Sequence, residues 1–151
     1  MAKTEIVAAL DEIIDVAQVA VLATIDPEGR PAMRWMTPTM VRGRPGYLYA
    51  VSSVECRKVR HLQSCPAVEW LFQTPELNRI VAVQGRMSVI DNPQLKSEVL
   101  ESIGPRLEVF WRTNEKKTDF IVLETVIDQI SLYQPMKQLQ DTVLFGEEDR
   151  R

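Results

Sequence analysis

The sequence has little of what metal-binding proteins and many hydrolases use for their chemistry. It contains one histidine and two cysteines, and Cys56 and Cys65 stand outside any close cluster of cysteine and histidine. This spacing does not fit a zinc site, so we expect no metal and two free thiols in a reducing compartment. His61 could act as a general acid or base, but no Ser or Cys stands at a recognised motif position. A surface position on a helix is therefore the preferred interpretation for His61.

Long hydrophobic runs and a strong net charge are also absent. No run of about 18 apolar residues occurs, so no membrane-spanning helix is predicted, and no signal-peptide pattern follows Met1. The net charge is −3, so we expect no general attraction to nucleic acid or to an anionic membrane. Together these absences favour a cytoplasmic protein that binds neither nucleic acid nor membrane.

The composition that remains is typical of a globular protein. Apolar residues make up 45% of the chain and charged residues 26%, which argues against disorder. At 151 residues one domain is expected. No internal repeat and no low-complexity linker divides the sequence, so we predict a single domain over residues 1–151.

The hydrophobic pattern predicts a mainly β domain, an antiparallel barrel with short helices. Apolar residues at helical spacing indicate an N-terminal helix over 1–17, and a second amphipathic stretch indicates a helix from Pro93 to Gly104. Tight-turn residues between β-rich runs predict hairpins, which favour an antiparallel barrel over a doubly wound sheet. A polar tail with loosely held final residues is predicted over 136–151. Six strands are expected, at 19–25, 32–41, 47–51, 67–72, 80–90 and 120–133.

The junction between the third strand and the following helix has the strongest functional pattern. Ser52 and Glu55 have the spacing of a capping box, which predicts a helix start at Ser52 or Ser53. A helix N-terminus favours anions, phosphate above all, and Arg57 and Lys58 add two cations. Two interpretations stay open here: a phosphate site, and a capped surface helix with a solvated basic face.

Three blocks in the sequence resemble one protein family. They are residues 20–36, which include the segment Arg34-Trp35-Met36; residues 49–62, which include the pair Arg57-Lys58; and residues 77–85, a strand that ends in a glycine. In this order and spacing they resemble the flavin-binding split-barrel proteins related to pyridoxamine 5′-phosphate oxidase, including the general stress protein 26 type. The resemblance gives the predicted six-stranded antiparallel barrel a specific form, the FMN-binding split barrel.

The resemblance also implies which residues bind a cofactor. FMN is expected, with FAD as the alternative because its pyrophosphate could use the same groups. The flavin is expected at the interface of a homodimer, as in the family. The matching positions are Arg34, Trp35, Met36 and Thr37 along the flavin ring, and Ser52, Arg57 and Lys58 at its phosphate.

Three positions depart from the family's pattern. Cys56 replaces a serine, and a thiol is a poor hydrogen-bond donor; Thr39 replaces a phosphate-binding lysine, and Ile80 a flavin-contacting glutamine. The family's C-terminal Arg-x-His substrate motif has no counterpart, so oxidation of pyridoxamine phosphate is not expected. Axial haem ligation is disfavoured as well, because the only histidine lies on the helix that is expected to bind the phosphate.

The resemblance therefore implies a flavin-dependent oxidoreductase that acts on a small molecule of unknown identity. No catalytic side chain can be named from the sequence. The alternative is a non-catalytic flavin-binding or stress protein on the same fold. Of the tryptophans outside the second strand, Trp70 is expected in the core, whereas Trp111 fits either a core position or a cofactor lid.

Overall fold

The computed structural model describes residues 2–53, 57–104 and 120–150. Glu55, Cys56 and Trp111 lie outside these ranges, and the predictions about them stay predictions. The described chain forms three α-helices, α1 (Lys3–Ala17), α2 (Arg57–Ser64) and α3 (Pro93–Ile103). It also forms seven strands, β1 (Ala20–Ile25), β2 (Pro31–Met36), β3 (Tyr47–Ser53), β4 (Ala67–Gln73), β5 (Ile80–Ile90), β6 (Phe120–Gln134) and β7 (Leu139–Leu144). None of the described helices has the length and apolar character needed to span a membrane.

The strands form one antiparallel sheet that closes on itself. Their order is β2-β1-β4-β5-β6-β3, and β7 pairs with β6. Beyond the end of β2, the backbone N–H and C=O of Thr39 bond to those of Tyr49 in β3, both at 2.8 Å. This bridge joins the two ends of the strand order. The prediction of a mainly β antiparallel barrel is therefore confirmed.

The β1–β2 hairpin forms for the reason that its turn residues indicate. The Asp26 carboxylate accepts hydrogen bonds from the backbone N–H groups of Glu28 and Arg30, at 2.9 and 2.8 Å. Gly29 has a φ of +85°, a conformation that glycine adopts without strain. β2 stops at Met36, two residues before Pro38, which cannot donate to a strand ladder. The strand is therefore shorter than the predicted 32–41.

The core fills the barrel and is covered by α1 and α3. Trp70 is fully buried, as predicted, and its Nε1 donates to Thr125 Oγ1 at 3.0 Å. α1 adds four buried residues at helical spacing to the main cluster, Ile6, Leu10, Ile13 and Ile14. α3 covers a second cluster around Tyr49 and Val122. Pro93 begins α3, as predicted, and the Asn92 side chain accepts from two backbone N–H groups at its start.

The predicted helix start at Ser52 or Ser53 is wrong. Both serines are the last residues of β3, where they pair with Ile121 and Phe120 of β6 and are buried. Pairing in a sheet satisfies backbone groups that a buried helix start would leave without partners. The described part of α2 begins at Arg57.

The predicted six strands and loose polar tail are also wrong, because the tail contains a seventh strand. β7 pairs with the second half of β6, and a short 3₁₀ helix over Glu147–Arg150 follows it. Asp149 contacts Lys3 Nζ at 3.0 Å and accepts from the Gly146 N–H at 2.8 Å. The final residues are thus tied to the start of α1.

Candidate functional site

The predicted site residues come from three elements. Arg34, Trp35 and Met36 lie on β2 and Thr37 just after it, Ser52 lies near the end of β3, and Arg57 and Lys58 form the start of α2. Described hydrogen bonds connect β2 to α2 through Arg34. The Ser52 hydroxyl has a long contact of 3.4 Å to the Ser53 carbonyl oxygen, and no described hydrogen bond joins it to α2.

Lys58 is the most unusual of these residues, because its side chain is buried. Its exposed fraction is 9%, and no described carboxylate forms a salt bridge with it. Lysine is almost never buried unless it is paired, since removing an ammonium group from water is costly. Arg57, one residue earlier, is exposed. This first turn of α2 therefore presents one exposed and one largely buried basic side chain, an arrangement that suits an anion.

His61 lies on the same face of α2 and is also buried. Its exposed fraction is 7%, so the predicted surface position is wrong. Its Nδ1 lies 2.9 Å from Thr24 Oγ1, and Arg34 Nη1 donates to the same oxygen at 2.7 Å and to the Leu22 carbonyl at 3.3 Å. A buried chain of side chains thus connects α2 to β1 and β2.

Thr24 and His61 are the residues that sequence reasoning missed. Each had a signal, because residues three apart on a helix share a face, and His61 follows Lys58 at that spacing. Alternation along β1 likewise places Thr24 on the side of Ala20 and Leu22, which are buried. The Asp26 carboxylate follows β1, and the hydrogen bond from the backbone N–H of Arg30 lowers its pKa; loss of solvation opposes this shift, and the backbone N–H of Glu28 adds to it.

Trp35 and Met36 point to different environments. The Met36 side chain belongs to the main core, so only its backbone could meet a ligand. Trp35 is 80% exposed and Met33, two residues earlier, is 73% exposed. Large apolar side chains on one strand face with this exposure indicate a surface that another molecule covers.

Two of the positions that differ from the family's pattern, Thr39 and Ile80, lie in the described part of the structure, and both side chains have structural roles. The Thr39 hydroxyl shares a hydrogen bond of 2.6 Å with Ser102 and is buried. Ile80 is half-buried and pairs with Tyr133 of β6. Neither side chain can replace the phosphate-binding lysine or the flavin-contacting glutamine that the family has at these positions.

A pocket of about 460 Å³ lies between β1, β4 and β5. Its wall includes Thr24, Glu69 and Gln84, and the Arg86–Asp128 ion pair lies at its rim. None of the seven predicted residues lines this pocket. Thr24 connects this pocket to the predicted site, because its hydroxyl accepts a hydrogen bond from Arg34.

Several solved structures share this fold at low sequence identity. A Clostridium acetobutylicum protein related to general stress protein 26 has a TM-score of 0.72 and 11% identity, covering 99% of this chain and 100% of the other. An FMN-binding protein from Nostoc punctiforme, related to pyridoxamine 5′-phosphate oxidase, has a TM-score of 0.65 and 14% identity, over 97% and 98%. The haem storage protein of Vibrio cholerae has a TM-score of 0.64 and 18% identity, over 84% and 92%.

The sequence itself gives the family. No curated protein matches the chain, but the sequence model described as pyridoxamine 5′-phosphate oxidase matches residues 6–134, from α1 through the end of β6. The three blocks that carry the resemblance lie inside this range, on a barrel of the expected kind. The chain therefore belongs to the pyridoxamine 5′-phosphate oxidase family.

Proposed function

We propose that the chain is an FMN-binding flavoprotein that acts as an oxidoreductase on a small molecule. The proposal depends above all on Lys58, a buried side chain without a described ionic partner in the first turn of α2. A phosphate dianion would supply an ionic partner for its ammonium group and would also meet the positive end of the helix dipole. The exposed Arg57 could add a two-point contact to the phosphate oxygens.

Each of the other predicted residues has a role in this proposal. Arg34, held by Thr24 and the Leu22 carbonyl, supplies a guanidinium to the polar edge of the ring. The backbone of Met36 and Thr37 supplies hydrogen-bonding groups, Trp35 an aromatic face, and Ser52 a hydroxyl group. FMN, when bound, supplies the transfer of electrons or of a hydride. The protein supplies binding, orientation and exclusion of water.

We also propose that the protein acts as a homodimer in the cytoplasm, with the flavin at the subunit interface. An exposed apolar surface supports the dimer. Trp35 and Met33 of β2 and Leu71 of β4 are exposed. The half-buried Val21 of β1 stands opposite both Trp35 and Leu71. We call these four residues the outer β2 face. Cys65 is a free thiol, which is compatible with a reducing compartment.

Haem is a weaker candidate for this chain than flavin. The protein of Vibrio cholerae with the same fold is a haem storage protein. His61, however, is the only histidine here, and its Nδ1 is already occupied by Thr24 inside the protein. Because the His61 ring is buried, axial haem ligation would need a different residue or a rearrangement that exposes this ring.

A non-catalytic flavin-binding protein is the second candidate function. The positions of Thr39 and Ile80 favour it, because these side chains have packing roles and leave the cofactor fewer contacts. The two candidates differ in turnover. Steady oxidation of NADH or NADPH by the FMN-loaded protein with a supplied electron acceptor would exclude the non-catalytic function, and no turnover across a broad panel of donors and acceptors would exclude the oxidoreductase.

The experiment that tests the proposal is a titration with FMN, followed by quenching of flavin fluorescence. We expect saturable binding at micromolar or lower concentration, with one flavin per subunit. Lys58→Met should weaken binding about 10- to 150-fold, because a hydrogen bond to a charged group contributes about 1.5–3 kcal/mol and about 1.4 kcal/mol is a factor of ten. The double change to alanine at Arg57 and Lys58 should weaken it further.

Arg60→Met is the matched control for Lys58→Met. It removes the same charge from the same helix, but Arg60 is exposed, so it should change FMN affinity only slightly. Equal losses in both variants would assign the effect to general electrostatics instead of a phosphate site. A wild-type protein that binds neither FMN nor FAD would overturn the proposed function.

A further inference from the structure

The hydrogen-bond chain Arg34–Thr24–His61 joins three elements at one buried hydroxyl group. Thr24 on β1 is 1% exposed, and its Oγ1 lies 2.7 Å from Arg34 Nη1 on β2 and 2.9 Å from His61 Nδ1 on α2. Both distances are those of good hydrogen bonds. These two hydrogen bonds therefore fix the relative positions of the two strands and of the helix that presents Lys58.

Chemistry sets the direction of each hydrogen bond in this chain. Arg34 can only donate, because a guanidinium group has no acceptor. The Thr24 hydroxyl then has one hydrogen left, and among the described residues its available acceptor is His61 Nδ1. A buried hydroxyl group makes its hydrogen bonds, so Thr24 donates to His61. In the neutral ring the proton consequently sits on Nε2.

We infer that His61 is a positioning residue for the guanidinium of Arg34, acting through Thr24. This inference rests on the proposed function, in which Arg34 meets the flavin. An arginine side chain has many rotamers. The Thr24 hydroxyl, together with the Leu22 carbonyl, accepts from Arg34 Nη1, and Thr24 contributes fully to this constraint only while its own hydroxyl is oriented. His61 supplies that orientation. Because His61 and Lys58 are three residues apart on α2, the same helix orients the phosphate cation and the ring-facing guanidinium.

The first arm of the test needs no cofactor. His61 is the only histidine in the chain, so the imidazole nitrogen signals in an NMR spectrum belong to it without further assignment. In the flavin-free protein we expect an unprotonated Nδ1 and a hydrogen on Nε2. Thr24→Val should raise the fraction of rings with a hydrogen on Nδ1. A hydrogen on Nδ1 in the wild type would overturn the inference.

The second arm measures FMN affinity in variants that keep or remove the acceptor. His61→Leu should weaken binding about tenfold, the order expected for one lost hydrogen bond, and Thr24→Val should weaken it similarly. His61→Asn should recover most of the loss, because its carbonyl oxygen can occupy the place of Nδ1. His61→Gln, whose carbonyl oxygen lies further out, should recover less. A thermal melt of each variant shows whether it is folded.

A double-mutant cycle separates positioning from general damage. If His61 acts through Arg34, then His61→Leu should cause almost no further loss in an Arg34→Ala background. Full additivity of the two losses would overturn the inference. So would wild-type affinity in both His61→Leu and Thr24→Val, with the proposed function left standing. Failure of the wild type itself to bind FMN or FAD would overturn the proposed function, and the inference with it.

Discussion

At the scale of single residues, α2 carries two buried polar side chains that the proposed function would use for binding. Lys58 and His61 share the face of the helix that packs on the barrel, together with Leu62. An apolar residue in place of Lys58 would pack there without the cost of removing an ammonium group from water. Residues that lower stability in this way are typical of functional sites.

Lys58→Met should therefore raise the stability of the flavin-free protein while it weakens FMN binding. We expect a gain of about 1 kcal/mol, which for a chain of this size is an increase in Tm of about 2–4 °C. The measurement is a thermal melt of wild type and variant without flavin. Arg60→Met should leave Tm nearly unchanged, because Arg60 is exposed. A lower Tm for Lys58→Met would mean that the ammonium group has an internal partner.

Gly85 is a second single residue with a strong constraint, imposed by the backbone of β6. It lies at the irregularity in the β5–β6 pairing, and a Cβ there would contact Val126 O and come within 2.8 Å of Thr125 Cγ2. Gly85→Ala should destabilise the protein by about 1–3 kcal/mol through overpacking. Gly146→Ala is the control, since its Cβ would meet its nearest neighbour at 3.8 Å. Equal melting temperatures for the two variants would contradict the prediction.

At the scale of elements, local patterns predicted most of the architecture. β5 and the start of α3 have the predicted bounds, because alternation along β5 and the Asn92-Pro93 start are strong local signals. β7 was missed because it is an edge strand in which three of six residues are polar, and it is specified by its pairing with β6. The start of α2 was misplaced for the same reason, since pairing between β3 and β6 holds Ser52 and Ser53 in the sheet.

The candidate site was predictable to a similar extent. Its basic residues were visible in the sequence because charge is a local signal. The involvement of His61 was not, since it depends on Thr24, 37 positions away in the chain. Helical spacing placed His61 on the face of Lys58, but only the tertiary structure shows that this face is buried.

The pairing of β3 with β6 contains a polar contact that should respond to alkaline pH. Tyr49 stands opposite Glu124, and its hydroxyl group donates to Glu124 Oε2 at 2.8 Å. Burial, and then the adjacent carboxylate, raise the pKa of Tyr49 above its ordinary value. The folded state therefore retains a proton that the unfolded state releases at pH values above about 10.

Stability contributed by Tyr49 should thus be complete below pH about 10 and decrease as the pH rises further. Tyr49→Phe should be less stable than wild type near neutral pH, because it loses a hydrogen bond to a charged group, about 1.5–3 kcal/mol. This difference should shrink between pH 10 and 12. Thermal melts of both proteins across this range measure it, and a constant difference would contradict the assignment.

At the scale of the whole molecule, the outer β2 face is the surface that a monomer would leave exposed at a cost. Trp35 and Met33 protrude from β2, the strand at one end of the sheet order. On β4, which lies beyond β1 in the strand order, the exposed polar residues Glu69 and Gln73 flank the apolar Leu71. An apolar centre with a polar rim is the usual composition of an interface between subunits.

Trp35→Glu should therefore convert the proposed homodimer to a monomer and abolish FMN binding with it. A buried, unpaired carboxylate at the centre of an interface is strongly unfavourable, whereas the monomer tolerates the change because Trp35 is already 80% exposed. Size-exclusion chromatography with light scattering at micromolar concentration gives the mass of each species. Met136→Glu is the matched control, because Met136 is 84% exposed but lies on the short helix after β6, so it should stay dimeric. A monomeric wild type, or a dimeric Trp35→Glu variant, would contradict the proposal that the flavin lies at an interface formed by the outer β2 face.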